Sequence, residues 1–222
     1  MGCHPALTLS PGPRASSCAQ IRGLWPSLGR RRWNGLHLPL SWRHKLLFTF
    51  HYYDPFAFTG QGLSWLLDGR YRYLTGLAWP YDTANAQAAR DNALGLVEQD
   101  PNLPPGQSAT FENELTADIA SYATRGTPEY LTTQFAKVQS WARANGVKPW
   151  QILVGEYGVA QPSHNTLGDP LATSPAWFSA VLAAAHGMGF AAAVWDLDSG
   201  FGITCGQPGA ATLCTVYEEV FP

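Results

Sequence analysis

The segment Gln151-Ile-Leu-Val-Gly-Glu-Tyr-Gly-Val159 restricts the fold more than any other part of the chain. A short apolar run meets a single carboxylate, Glu156, with Gly155 before it and Gly158 after it. So short a run, without helical period, predicts a strand buried on both faces, as in a parallel sheet covered by helices. The run stops at the acid, so Glu156 falls at the strand's carboxyl end, where α/β folds gather ligands and catalytic groups. A carboxylate that only faces water at a strand end would leave the same pattern. The neighbouring elements decide between the two.

Two further strands are legible. Lys45-Leu-Leu-Phe-Thr-Phe-His-Tyr-Tyr53 is rich in β-formers and stops at Asp54-Pro55. Phe190-Ala-Ala-Ala-Val-Trp195 is wholly apolar and ends at a ring and an acid. Helices are expected between them. One starts at Asp82 and runs to about Glu98, and a second piece spans Phe111 to Tyr122. The clearest runs from Thr127 to Asn145, with Thr127 as N-cap, Pro128 in the first turn and Gly146 as a left-handed stop. Its Leu131, Phe135, Val138 and Ala142 recur on one face. Another helix opens at Ser174-Pro175 and closes at Gly187, with Phe178, Val181, Leu182 and Ala185 inward, and a short one is expected around Tyr217. Residues 56–80 read as a long aromatic loop, of the kind that usually carries function. The order strand, helices, strand, helix, strand, helix is that of βαβ units, hence α/β with a parallel sheet.

Composition narrows the function classes. Nine Trp, nine Tyr and ten Phe accompany few charges, which suits stacking on flat, uncharged, polar ligands such as sugar rings, although most such rings fill cores. No apolar run is long enough to span a membrane. Residues 1–45 hold six Arg and one Lys with no acid, and the remainder carries a net charge of −9. Only Arg30-Arg31-Arg32 is clustered, so no nucleic-acid partner and no membrane partner is expected. The 1–45 segment reads as irregular or disordered and basic. Cys3, Cys18, Cys205 and Cys214 form no metal-binding spacing, and no cofactor is expected. Cys205 and Cys214 flank a Gly/Pro loop that a disulfide could close in an oxidising compartment. The amino terminus lacks the order of a secretory signal.

The three strand ends deliver His51 and Tyr53, then Glu156, then Trp195. A carboxylate nucleophile needs neighbours that keep it ionised and aimed, and an imidazole and a phenol can do both. A Trp beside it offers a platform for one sugar face. These are parts of a glycosidase site, in which two carboxyl groups flank the bond to be cut.

The stretch His51-Tyr-Tyr-Asp-Pro-Phe-Ala-Phe-Thr-Gly-Gln-Gly-Leu-Ser-Trp65 resembles the sixth-strand signature of glycoside hydrolase family 5, the cellulase-type (β/α)8 barrels. Val154-Gly-Glu-Tyr-Gly-Val159 resembles the family's seventh-strand motif. Ala193-Val-Trp195 with Gly200-Phe-Gly-Ile203 resembles its eighth strand and trailing loop. The three motifs stand in family order between about Leu46 and Phe201. The resemblance implies a partial (β/α)8 TIM barrel covering about strands six to eight, with 46–222 as the carboxyl-terminal part of a glycoside hydrolase barrel and 1–45 outside it. It implies Glu156 as nucleophile of a retaining mechanism, His51 and Tyr53 as hydrogen-bonding partners of the substrate or the nucleophile, and Trp195 and Trp65 as substrate-binding platforms. The implied ligand is a β-linked polysaccharide or oligosaccharide, and full-length relatives are expected to be secreted or periplasmic.

Two departures qualify this expectation. Gly60 stands where the signature usually has His. The family's acid/base Glu follows an Asn on the fourth strand, yet no Asp or Glu precedes Asp54 here. Asn113-Glu114 copies the dipeptide inside an expected helix, where it reads as a solvated face. The family order therefore implies a chain without its acid/base Glu, whose open sheet would leave it poorly soluble or partly unfolded. A carbohydrate-binding remnant that stacks sugars on Trp65, Trp79 and Trp195 is the alternative. A metal site of His51, Glu156 and His164 lacks supporting spacing.

Overall fold

The computed structural model describes residues 46–65, 67–160, 173–196, 200–201, 203–205, 212–213, 218 and 220. The 1–45 segment, His164, Cys214 and Tyr217 lie outside the described residues. The fold is α/β: a small parallel sheet with helices packed on it. Strands β1 (Phe48–Tyr52), β2 (Ile152–Tyr157) and β3 (Ala191–Ala192) lie in the order β1-β2-β3, parallel throughout. β3 is shorter than the apolar run predicts. Its direction is nevertheless continued by Ala193 and Trp195, whose amides donate to Val154 and Tyr157 carbonyls at 2.8 Å each. A two-residue antiparallel pair, β4 (Thr204–Cys205) with β5 (Thr212–Leu213), follows.

Alternate residues of β1 divide between two faces. Phe48, Phe50 and Tyr52 turn to the helices: Phe48 meets Trp141 edge-on at 5.5 Å, and Phe50 and Tyr52 meet Phe135 at 5.5 and 5.0 Å. Both these partners belong to α4 (Pro128–Ala144), whose buried stripe is Leu131, Phe135, Val138 and Ala142, as the period predicts. Thr127 caps it by accepting from the Tyr130 amide at 3.1 Å, and Gly146 turns left-handed at φ 68°. The second helix on this face, α5 (Ser174–Gly187), buries Trp177, Phe178, Val181 and Ala185. Leu182 is only partly buried; the helix closes at Gly187 as expected, and a left-handed turn follows at Gly189.

β2 is not buried on both faces as its apolar run predicts. Ile152, Val154 and Tyr157 are buried, while Leu153, Gly155 and Glu156 are half-buried. The opposite face of the sheet thus stays partly open, and it is the face on which the carboxylate stands.

Most of the aromatic stretch 56–80 is structured core, with Trp65 the exposed exception. It contains α1 (Phe56–Thr59) and a 3-10 segment (Leu67–Tyr73) broken by Asp68 and Gly69 at φ 60° and 89°. Phe58, Tyr71, Tyr73, Leu74, Leu77 and Trp79 are buried. Trp79 is 3% exposed and packs against Phe58, which removes it from any sugar-stacking surface. The fully buried Gln61 staples the stretch: its amide nitrogen donates to the Phe58 and Leu77 carbonyls at 3.0 and 3.1 Å, and its oxygen accepts from the Leu77 amide at 2.7 Å. Two helices in contact with each other close this side. α2 (Thr83–Glu98) is capped by Asp82, and α3 (Gln107–Arg125) is longer than predicted. Asn113-Glu114 does lie within α3, with Glu114 and Asp118 holding the Arg70 guanidinium at 3.0 and 3.1 Å.

Two outcomes follow from this core. Gln61→Leu strands a buried amide and two carbonyls, and denaturant titration should record a loss of at least about 2 kcal/mol. Burial pushes the Tyr157 phenol up to about 12 and raises those of Tyr52 and Tyr122. A folded value above the unfolded value of about 10 means that this stability is whole below pH 10 and is lost as pH climbs through the folded values. Tyrosinate absorbance should therefore rise in two stages, the later one coinciding with loss of helical circular dichroism near or above pH 12.

Candidate functional site

One irregularity in the ladder makes the site. Phe50 pairs with Val154, but His51 pairs with Glu156, so Gly155 is an extra residue on β2. In an unbroken strand 152, 154 and 156 would share a face, and Glu156 would enter the helix layer. The bulge reverses that parity. Tyr157 takes the helix side, packing on Trp177 and Phe178 at 6.3 and 5.6 Å. Glu156 is turned to the open side, beside His51 and Tyr53. Gly155 suits the position because a Cβ there would collide with the Thr49 hydroxyl.

His51 and Tyr53 are two apart on β1 and its continuation, hence on one face. The Tyr53 hydroxyl donates to Glu156 Oε2 at 3.0 Å, and His51 Nδ1 lies 3.1 Å from the same oxygen. Among the described residues both contacts fall on Oε2, and none is made to Oε1. The Glu156 side chain is 23% exposed, so it is reachable yet partly desolvated. Tyr53 is itself braced edge-on by Phe201 at 5.6 Å, in a small cluster with Leu63, Ala160 and Phe56.

Trp195 arrives at the same end of the sheet. Its amide is bonded to Tyr157, one residue past Glu156, and its side chain is 47% exposed. Gly158 permits this approach: a Cβ there would overlap the Trp195 carbonyl oxygen, a backbone atom that cannot swing aside. Trp65 stands two residues beyond Leu63 and, at 70%, is the most exposed large hydrophobic side chain among the described residues. The structure thus brings Glu156, His51 and Tyr53 into contact, sets Trp195 alongside, and leaves Trp65 on the nearby loop surface. Among the described residues no three His, Cys, Asp or Glu side chains are grouped to hold a metal ion. No described helix is long and apolar enough to cross a membrane.

Sequence reasoning missed Gly155 as a bulge, Phe201 as the brace of Tyr53, and Gly158 as the port for Trp195. The only signal was the pair of glycines around Glu156.

A 113-residue stretch, 51% of the chain, is 26% identical to Endoglucanase 3 of Fibrobacter succinogenes (strain ATCC 19169 / S85). The chain is similar to an endoglucanase. It covers only 14% of that relative's length. No protein-family model matches the chain. Solved structures of related shape include a cellulose synthase subunit Z from Clostridioides difficile (25% identity, TM-score 0.42, 71% of this chain and 35% of that one). They also include a hyperthermophilic endo-beta-1,4-glucanase (21%, 0.43, 76% and 36%). A third is a family 5 xyloglucanase from Paenibacillus pabuli (15%, 0.44, 77% and 35%). The chain spans about a third of the length of each.

Gly158→Ala should force β2 and the Trp195 segment apart. Thermal unfolding should fall by several degrees, since about 1 kcal/mol moves the midpoint of a domain this size by about 2 to 4 °C. Gly187→Ala is the control: nothing lies near its Cβ, and the added methyl in a helix should leave the midpoint unchanged or raise it.

Proposed function

We propose that this chain carries the nucleophile side of a family 5 endo-β-glycanase site, acting on β-linked glucans with retention of configuration. The observation that carries the reading is the convergence of Tyr53 and His51 on a single oxygen of Glu156. A carboxylate so held is fixed in orientation and presents Oε1 to an incoming anomeric carbon. Attack by Oε1 forms the C–O bond of a glycosyl-enzyme as the aglycone oxygen leaves, and water then releases the sugar. Trp195 would stack beneath the ring next to the cleaved bond, with Trp65 serving a more distant sugar. The sequence similarity to an endoglucanase supports the same substrate class.

We further propose that β1, β2 and β3 correspond to the sixth, seventh and eighth strands of a (β/α)8 barrel, with 46–222 as its carboxyl-terminal part. Their parallel order and the helices on one face are compatible with that assignment, and so are the outer edges of β1 and β3, which have no strand partner among the described residues. The general acid that protonates the leaving oxygen would come from an earlier strand, and this chain has no Asp or Glu before Asp54. Catalysis by this chain should therefore depend on a leaving group that needs no proton.

An activated aryl β-cellobioside separates these steps. It is expected to be hydrolysed slowly, while cellulose is not cut. Glu156→Gln should lower that turnover on the order of a thousandfold or more. Tyr53→Phe, which removes one hydrogen bond to the carboxylate, should lower it by roughly tenfold to a hundredfold. Turnover unaffected by Glu156→Gln would remove Glu156 as the nucleophile, whereas no turnover at all, with tryptophan quenching on adding the sugar, would favour stacking without cleavage.

A further inference from the structure

The two side chains of the site stand on strands that separate after their last ladder pair, and one buried residue rejoins them. Thr59 ends α1 and is fully buried. Its hydroxyl donates to the Tyr53 carbonyl, while its own carbonyl accepts from the Ala160 amide at 2.7 Å. Tyr53 follows directly on β1, and Ala160 lies four residues beyond Glu156 on the exit from β2. Thr59 therefore spans the gap between the Tyr53 and Glu156 arms through its side chain on one side and its backbone on the other. Ala160 and Phe201 also pack in the cluster that braces the Tyr53 ring.

We propose that Thr59 is a positioning residue for the candidate site, setting the separation between the Tyr53 hydroxyl and Glu156 Oε2. The proposal rests on the reading of Glu156 and Tyr53 as a working pair, though not on any turnover. The hydroxyl matters because it is the group through which the fully buried end of α1 holds the Tyr53 carbonyl. A valine of the same shape would remove this hydrogen bond from the Tyr53 backbone and loosen its tie to α1. A displacement of about 1 Å is enough to break a contact made at 3.0 Å and, in a working enzyme, to cost up to about a hundredfold in rate.

The test reads Tyr53 directly. In protein labelled with 13C at the tyrosine Cζ, the Tyr53 resonance is assigned by its loss in Tyr53→Phe, and its displacement in Glu156→Gln marks the broken contact. Thr59→Val is expected to displace the resonance in the same direction, and Thr59→Ser, which keeps the hydroxyl, to leave it in place. Where turnover of the aryl glycoside is measurable, Thr59→Val should lower kcat about tenfold with KM held within about twofold. Its effect should not add to that of Tyr53→Phe. If Thr59→Val does not fold, Thr59→Cys, with a weak donor in place of the hydroxyl, should give an intermediate displacement. A Thr59 variant that is less stable yet keeps the Tyr53 resonance at its original position overturns the proposal. A wild-type resonance indifferent to Glu156→Gln overturns it together with the pairing on which it rests. A resonance that responds as expected in a protein without turnover upholds the positioning role and removes the glycosidase reading alone.

Discussion

The bulge at Gly155 is the constraint on which the site depends. With an unbroken β2, the parity that sends Ile152 and Val154 into the helix layer would send Glu156 after them. A charged group in that layer would face Tyr52, Phe135 and Trp177, at a desolvation cost of several kcal/mol. One extra residue exchanges the roles of Glu156 and Tyr157. The ring enters the apolar layer and the carboxylate faces the two polar groups of β1. The same residue therefore sets both the packing of Tyr157 and the placement of Glu156 in the candidate site.

The rest of the fold fixes what the bulge has aimed. The helix-facing side carries a run of ring contacts from Phe50 through Phe135 and Tyr52 to Trp177 and Phe178, with Phe48 on Trp141 beside it. Stacked and edge-on rings of this size hold the sheet at a defined distance from α4 and α5. On the side of α2 and α3, Gln61 and the buried aromatics of 56–80 hold α1 against the carboxyl ends of the strands. That placement lets Thr59 reach Tyr53 and Ala160. A stretch that reads as a long loop supports the candidate site from behind.

Much of this was legible in the sequence, and what was not has physical reasons. The helix bounded by Thr127 and Gly146 was legible because capping chemistry and period agree with its packing. The contact of His51 and Tyr53 with Glu156 was legible because strand ends gather side chains regardless of detail. The bulge was not, because a glycine beside an acid is equally suited to a turn, a close approach or an extra residue. The 56–80 aromatics were misread because burial depends on packing with α2 and α3, which no local pattern records; Trp65 and Trp79 belong to the same stretch, and only one of them is exposed. Phe201 and Thr59 escaped because their partners lie far away in sequence or are backbone atoms.

Covalent capture of the nucleophile is the most direct measurement. A 2-deoxy-2-fluoro-β-cellobioside with an activated leaving group needs no acid to react, and its glycosyl-enzyme turns over slowly. After incubation, peptide mass spectrometry should find the fluorinated sugar as an ester on Glu156, and no such mass in Glu156→Gln. An unlabelled protein, or a label on any other carboxylate, would contradict the assignment of Glu156 as the attacking group.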